Sequence, residues 1–337
     1  MAYQNVGTPR FYISYGDWWR SLGSYVPREQ TISPIETKKI TGGTGGSHTW
    51  TATGAILPSS IAVTGINWFA ALNHNVTSDY KFRCKHWTSG GGGQEDINDG
   101  SFDSVVNMGS DAVPQYFGFS LATWSPGWED LGNNQVVVGL EGINAPTTID
   151  FNVGCWIYGG YYDMPHSPDL KLTMTREMDG VKRIRTKGGA DLVNHKYIKP
   201  AAWGTGDFPP GAWELYSGTS NQTLSRSGRR VWDLSFSYLQ DSDVFPDVSN
   251  LNNYEASGYS SSDTGTEYTN TLLNEDTFYS QVIHKTNGGQ LPFIFQPDKD
   301  NNNPDQFAIC KFDMKSFKFE QVANGVYNVK LKIREVW

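Results

Sequence analysis

The closing segment of the chain constrains the fold more than any other stretch. After the turn at Asn324-Gly325, the residues Tyr327, Val329, Leu331, Ile333 and Trp337 alternate with Asn328, Lys330, Lys332 and Arg334. A period of two sends one set of side chains into a core and the other into water, which specifies a half-buried strand. A large aromatic that continues the apolar face to the terminus implies that the last residues are tied down and the carboxy terminus buried. A partner stands upstream at residues 228–239, where Trp232, Leu234, Phe236 and Tyr238 alternate with Asp233, Ser235 and Ser237. Together the two segments read as core scaffolding of one sheet, with function displaced to loops and contact surfaces.

The composition points to the same class. Aromatics make up 14% of the 337 residues, with 12 Trp, and there are 36 Gly, while charged residues reach only 18%. Such a mix favours strands and turns over helices. The length is enough for two cores. The expected fold is all-β, with two β-sandwich, jelly-roll-like domains and at most one short helix. The first domain covers residues 1–163, and a proline pair in Met164–Pro168 marks the boundary. The second covers 164–337 and carries a polar insertion at 246–267, rich in Asn, Ser, Asp, Gly and Tyr. Within the first domain, the uncharged run through Trp68, Phe69, Ala71 and Leu72 predicts a central strand covered on both faces. In the second, Asp179-Gly180 predicts a hairpin turn leading into 182–186, followed by another turn at 187–190. Residues 274–285 are the best helix candidate, ended by Gly288-Gly289.

The formal net charge of -8 disfavours nucleic acid as a partner, because phosphate binding needs clustered Lys and Arg. The clearest basic cluster is Lys182, Arg183, Arg185 and Lys187, which Val181 and Ile184 interrupt; it reads as the solvated edge of a strand. Cys84, Cys155 and Cys310 are odd in number and far apart, in no metal or redox spacing, so each is read as core packing in a chain assembled in a reducing cytosol. With no signal-like amino terminus and no run of eighteen apolar residues, membrane insertion is not expected.

Candidate chemistry is sparse. His74 sits in Asn73-His74-Asn75 at a strand end, but without a Ser or Cys nucleophile in a strained turn it reads as a structural turn. His48, His86, His166, His195 and His284 share no ligand spacing. The turn Asp298-x-Asp300-x-Asn302 begins like a calcium loop, yet Asn303 and Ile309 stand where Gly and Glu are required. Lys187-Gly188-Gly189 is a turn rather than a phosphate loop. Trp124 and Trp128, beside Glu129 and Asp130, suit either an aromatic corner or stacking on a sugar ring. Adjacent Trp18 and Trp19 cannot both face inward on a strand, so they form a covered corner or an intersubunit anchor. Tyr254 and Tyr259 lie in the polar insertion and are read as contacts to other subunits. No catalytic residue, metal ligand or cofactor site is expected, and the chain is read as a non-enzyme.

Two stretches, Tyr3–Ile13 and Ile66–Asn75, resemble segments of proteins encoded in the structural gene clusters of bacteriophages. The resemblance implies a virion structural protein, in the tail or its tip, assembled in the host cytoplasm. Its partners are then other virion proteins and copies of itself. An alternative reading is a virion adhesin or receptor-binding protein that presents Trp124, Trp128 or the loop around His74 to a host surface glycan, or a capsid protein.

Overall fold

The computed structural model describes residues 5–24, 26, 28–32, 38–41, 49–56, 66–74, 80–88, 105–107, 119–128, 134–142, 150–177, 181–195, 229–247, 249, 272–273, 275–303 and 306–336. The chain is all-β. Its strands are β1 (Arg10–Ser14), β2 (Lys38–Thr41), β3 (Thr49–Ile56), β4 (Ile66–His74), β5 (Tyr80–Thr88), β6 (Val105–Asn107), β7 (Phe119–Trp128), β8 (Asn134–Gly142) and β9 (Asp150–Asp163). They continue as β10 (Thr173–Glu177), β11 (Val181–Arg185), β12 (Asp191–His195), β13 (Arg229–Gln240), β14 (Phe293–Gln296), β15 (Ala308–Phe312), β16 (Phe319–Ala323) and β17 (Val326–Glu335). An 11-stranded sheet runs in the order β10-β13-β17-β15-β14-β1-β9-β4-β7, with β16 beside β17 and β2 beside β9. A four-stranded sheet has the order β3-β8-β5-β6, and β11-β12 form a two-stranded ribbon.

The expected partnership of the closing strand holds. β17 pairs antiparallel with β13, placing Ile333 opposite Trp232, Leu331 opposite Leu234 and Val329 opposite Phe236, all six buried. On the other face Lys332 lies opposite Asp233 and Lys330 opposite Ser235. Two details depart from simple alternation. A bulge between Phe236 and Leu239 turns Tyr238 out to 74% exposure at φ 64, and Leu239 takes the buried position instead. Glu335, near the end of β17, is buried against Arg230, which donates to its carboxylate from the backbone N at 2.9 Å and from Nη2 at 3.1 Å. Trp337, and with it the expected burial of the terminus, lies outside the described residues.

β1 sits between β9 and β14 in the large sheet. Its alternation serves two cores: Phe11 and Ile13 join a cluster with Trp232, Phe278, Phe293 and Leu331, whereas Tyr12 joins Trp68, Leu72, Ile157 and Ile294. β4 is buried from Trp68 to Leu72, as its uncharged sequence requires. The expected boundary at residues 163 and 164 falls at the end of β9, and the sheet draws strands from both sides of it.

Among the described residues helix is confined to short pieces, although more than the single one expected. Residues Tyr15–Ser21 form α1, Asp241–Val244 form α2, Arg28–Gln30 make a 3-10 turn and Tyr279–His284 a π-helical turn inside the predicted 274–285 segment. α1 replaces the corner expected at Trp18-Trp19. Ser14 caps it by accepting from the Asp17 backbone N at 3.3 Å, and Asp17 Oδ2 accepts from the Ile32 backbone N at 2.8 Å. Gly16 is required here, since a Cβ would stand 2.0 Å from the Gln30 carbonyl oxygen. The π-helical turn ends where Asn287, Gly288 and Gly289 adopt φ values of 52, 66 and 83, the left-handed termination that Gly288-Gly289 predicts. Asp179-Gly180 lies outside the described residues, and among those described β10 pairs with β13 and β11 with β12, not with each other.

Candidate functional site

The side chains that sequence reasoning placed at a corner meet a charge it did not foresee. Trp18 and Trp19 are both buried within the chain, so neither is available as an intersubunit anchor; a helical turn, unlike a strand, lets neighbouring rings both face inward. Tyr15 lies 5.9 Å from Trp18 and 5.6 Å from Trp19 between ring centroids. Against this cluster the π-helical turn sets the buried side chain of Lys285. Its Nζ donates to Tyr15 Oη at 3.0 Å and to Gln281 Oε1 at 2.6 Å, and stands 4.8 Å from the Tyr15 ring centroid. His284 meets Trp18 edge-on at 5.9 Å.

Burial pulls the Lys285 ammonium down to about 7, with the carboxylate of Asp276 acting the other way. Burial, and then the charge of Lys285, lowers His284 below the ordinary imidazole value. Burial likewise raises the Tyr15 phenol above its ordinary range. Asp17 is pushed up to about 6 by burial, against the hydrogen bonds from Ser14 and Ile32 that favour its charged form. A partly neutral amine is a nucleophile in an open cleft, but this one is enclosed by aromatic rings and committed to two hydrogen bonds. The centre therefore couples packing to protonation.

The remaining candidates are spread over the molecule. His74 closes β4 with its backbone opposite Val153. Trp124 and Trp128 belong to β7, the last strand of the large sheet, with Trp128 opposite Ile66. Tyr254, Tyr259 and nearly all of the 246–267 insertion lie outside the described residues. Among the described residues no group of three or more His, Cys, Asp or Glu is arranged to hold a metal ion, and no helix is long and apolar enough to cross a membrane. In the Asp298 turn, Asp298 Oδ1 accepts from the Asp300 backbone N at 3.2 Å and Asn301 Oδ1 from the Asn303 backbone N at 3.2 Å, so side chains bond the turn's own backbone.

Two surface features stand out. The β11-β12 ribbon leaves Ile184 61% and Leu192 57% exposed, and these two face each other across the strands. Arg183, Arg185 and Lys187 are exposed around them, and the ribbon closes through Thr186, whose backbone N donates to Ala190 O at 2.8 Å. The second feature lies where β13, β16 and β17 end together. Tyr238 and Val322, the latter 45% exposed, stand there beside the carboxylate-rich α2. The basic cluster was legible as exposed, whereas Tyr238 was assigned to the buried face because the sequence carries no sign of the bulge.

Comparison with protein-family models, curated proteins and solved structures finds no match to this chain.

Proposed function

We propose that the chain is a non-enzymatic structural protein of a bacteriophage virion, a tail or tail-tip component assembled in several copies in the host cytoplasm. The observation that carries this reading is the ribbon. Ile184 and Leu192 are exposed on a pair of strands that hydrogen-bonds to no other strand among the described residues. A lone two-stranded hairpin is marginal in water, and apolar side chains displayed on it are stabilised when another surface covers them. The resemblance of Tyr3–Ile13 and Ile66–Asn75 to phage structural proteins supplies the context, and the antiparallel all-β architecture suits a subunit that works by presenting surfaces. Deleting residues 246–267 is expected to leave a folded monomer and to impair particle assembly. Normal incorporation of the deletion variant into particles would remove the role given to that segment.

A second reading is a glycan-binding adhesin of the virion. It is favoured by the position of Trp124 and Trp128 on β7, one of the two end strands of the large sheet among the described residues. A glycan-array signal lost on Trp128→Ala supports it; no binding, together with a location inside the particle, removes it.

A further inference from the structure

We propose that the β11-β12 ribbon of one copy docks on the Tyr238/α2 surface of a second copy, an interface that rests on the subunit reading above. Each surface displays what the other lacks. The ribbon carries Lys182, Arg183, Arg185 and Lys187 against the single acid Asp191, in a chain whose net charge is -8. Among the described residues no ion pair engages Arg183, Arg185 or Lys187, and Ile184, Leu192 and Val193 are exposed between them.

The receiving surface has the opposite charge. α2 and the residues after it supply Asp241, Asp243 and Asp247, and the residues before the π-helical turn supply Glu275 and Asp276. The Asp247 backbone N donates to Glu275 Oε2 at 2.7 Å, which ties the two segments together, and the Asp241 backbone N donates to Gly325 O at 2.9 Å, which ties α2 to the β16-β17 turn. Neither 241–247 nor 275–284 contains a Lys or Arg, and Lys285, which follows and interacts with Asp276, is buried. Tyr238 and Val322 are exposed where β13 and β16 end beside the start of β17, next to α2, so the patch sets exposed apolar side chains beside an acidic helix.

Tyr238 also holds a left-handed backbone that a bulky residue adopts only at a cost. The Asn328 side chain fixes this conformation by accepting from the Tyr238 backbone N at 3.1 Å. A strained, hydrogen-bonded bulge that turns an aromatic ring outward positions an anchor, and tyrosine suits an interface that is part apolar and part wet. The two surfaces are different patches of one chain, so their pairing is head-to-tail and builds a ring or an open filament, rather than a two-fold dimer.

Sedimentation velocity of the purified full chain at about 0.02 M and about 0.5 M salt tests the inference, because rim charges are screened at the higher value. The wild type is expected to self-associate at low salt and to dissociate at high salt. The double variant Arg183→Glu with Arg185→Glu, and separately Asp241→Lys with Asp247→Lys, are each expected to weaken self-association roughly 100-fold. Mixing the two variants restores association, since each then offers a complementary ribbon and face. A monomeric wild type, salt-independent association, or variants that fail to associate when mixed would overturn the proposal. Circular dichroism checks that the variants fold, and the salt response of the wild type needs no variant. Detection of the chain in purified particles reports on the virion reading separately. A chain present in particles but indifferent to ribbon reversal sinks this interface alone. A chain absent from particles sinks the virion reading and leaves measured self-association standing.

Discussion

The Lys285 centre and the β11-β12 ribbon distribute polarity in opposite ways. At the first, a charged amine is sealed among Tyr15, Trp18 and the π-helical turn; at the second, Ile184 and Leu192 stand in water. Burying an amine costs free energy unless its donors are satisfied or the group deprotonates, and both remedies are present at Lys285. Exposing an apolar pair also costs, and within one chain nothing among the described strands offsets it. The first exception to the hydrophobic rule is resolved inside the molecule. The second asks for a neighbour.

Substitutions sharpen this contrast, beginning with the largest effect. Trp19→Ala removes a fully buried ring that packs against Tyr15 and Tyr158, and is expected to destabilise the chain by about 3–5 kcal/mol in denaturant titration. A loss below 1 kcal/mol would mean that α1 is not part of the core.

Lys285→Met probes the charge itself. The folded value of about 7 lies below the ordinary lysine value of about 10.4, so between them the unfolded chain holds a proton that the folded chain has released. Stability from this group therefore rises with pH from 7 to 10, and the cost of charging the buried amine is fully felt below 7. The variant is expected to gain on the order of 1–4 kcal/mol at pH 6 and to lose the slope above pH 7 in melting experiments. An unchanged slope would show that Lys285 titrates like a solvated lysine.

Asp17 gives the opposite sign. Its folded value of about 6 lies above the ordinary carboxylate value of about 3.9, so the folded chain keeps the proton longer and stability falls as pH rises from 4 to 6. Asp17→Asn keeps an oxygen to accept from the Ile32 backbone N, and is expected to flatten that slope. Retention of the slope would assign it to another group.

On the surface the expected changes in monomer stability are smaller. Tyr238→Gly relieves the left-handed strain and is expected to raise stability by about 1 kcal/mol while weakening self-association, as read by calorimetry and sedimentation. A destabilised monomer would show that the exposed ring packs within its own chain. Ile184→Ser with Leu192→Ser is expected to leave monomer stability within about 0.5 kcal/mol. A larger loss would make the ribbon part of the fold, erasing the contrast between the two regions.

Legibility followed how local the determining interactions are. The β13-β17 pair could be read because alternation is written in each strand and the two patterns match, and β4 because an uncharged run has to be covered on both faces. β1 shows the limit: nothing in Arg10–Ser14 says that its neighbours are β9 and β14, which lie far along the chain from it and from each other. Lys285 looks like an ordinary lysine at the end of an amphipathic turn, and its burial is set by a tyrosine 270 residues away. α1 was hidden because aromatic neighbours suggest strand, while the contact that stabilises it runs from Asp17 to Ile32. The ribbon was half legible: its charges announced exposure and Lys187–Ala190 announced the turn, but the sequence assigned 182–186 to the preceding strand, whereas Thr186 and the turn through Ala190 pair β11 with β12. Tyr238 followed the written alternation until the bulge displaced it.

The most direct test of the central claim is a cryo-EM map of purified particles of the phage proposed as the source of this chain. The account predicts repeated copies of the 11-stranded sheet in the tail or its tip, with Ile184 and Leu192 covered by a neighbouring subunit. Particles that lack the chain, or hold it with the ribbon facing bulk solvent, would contradict it.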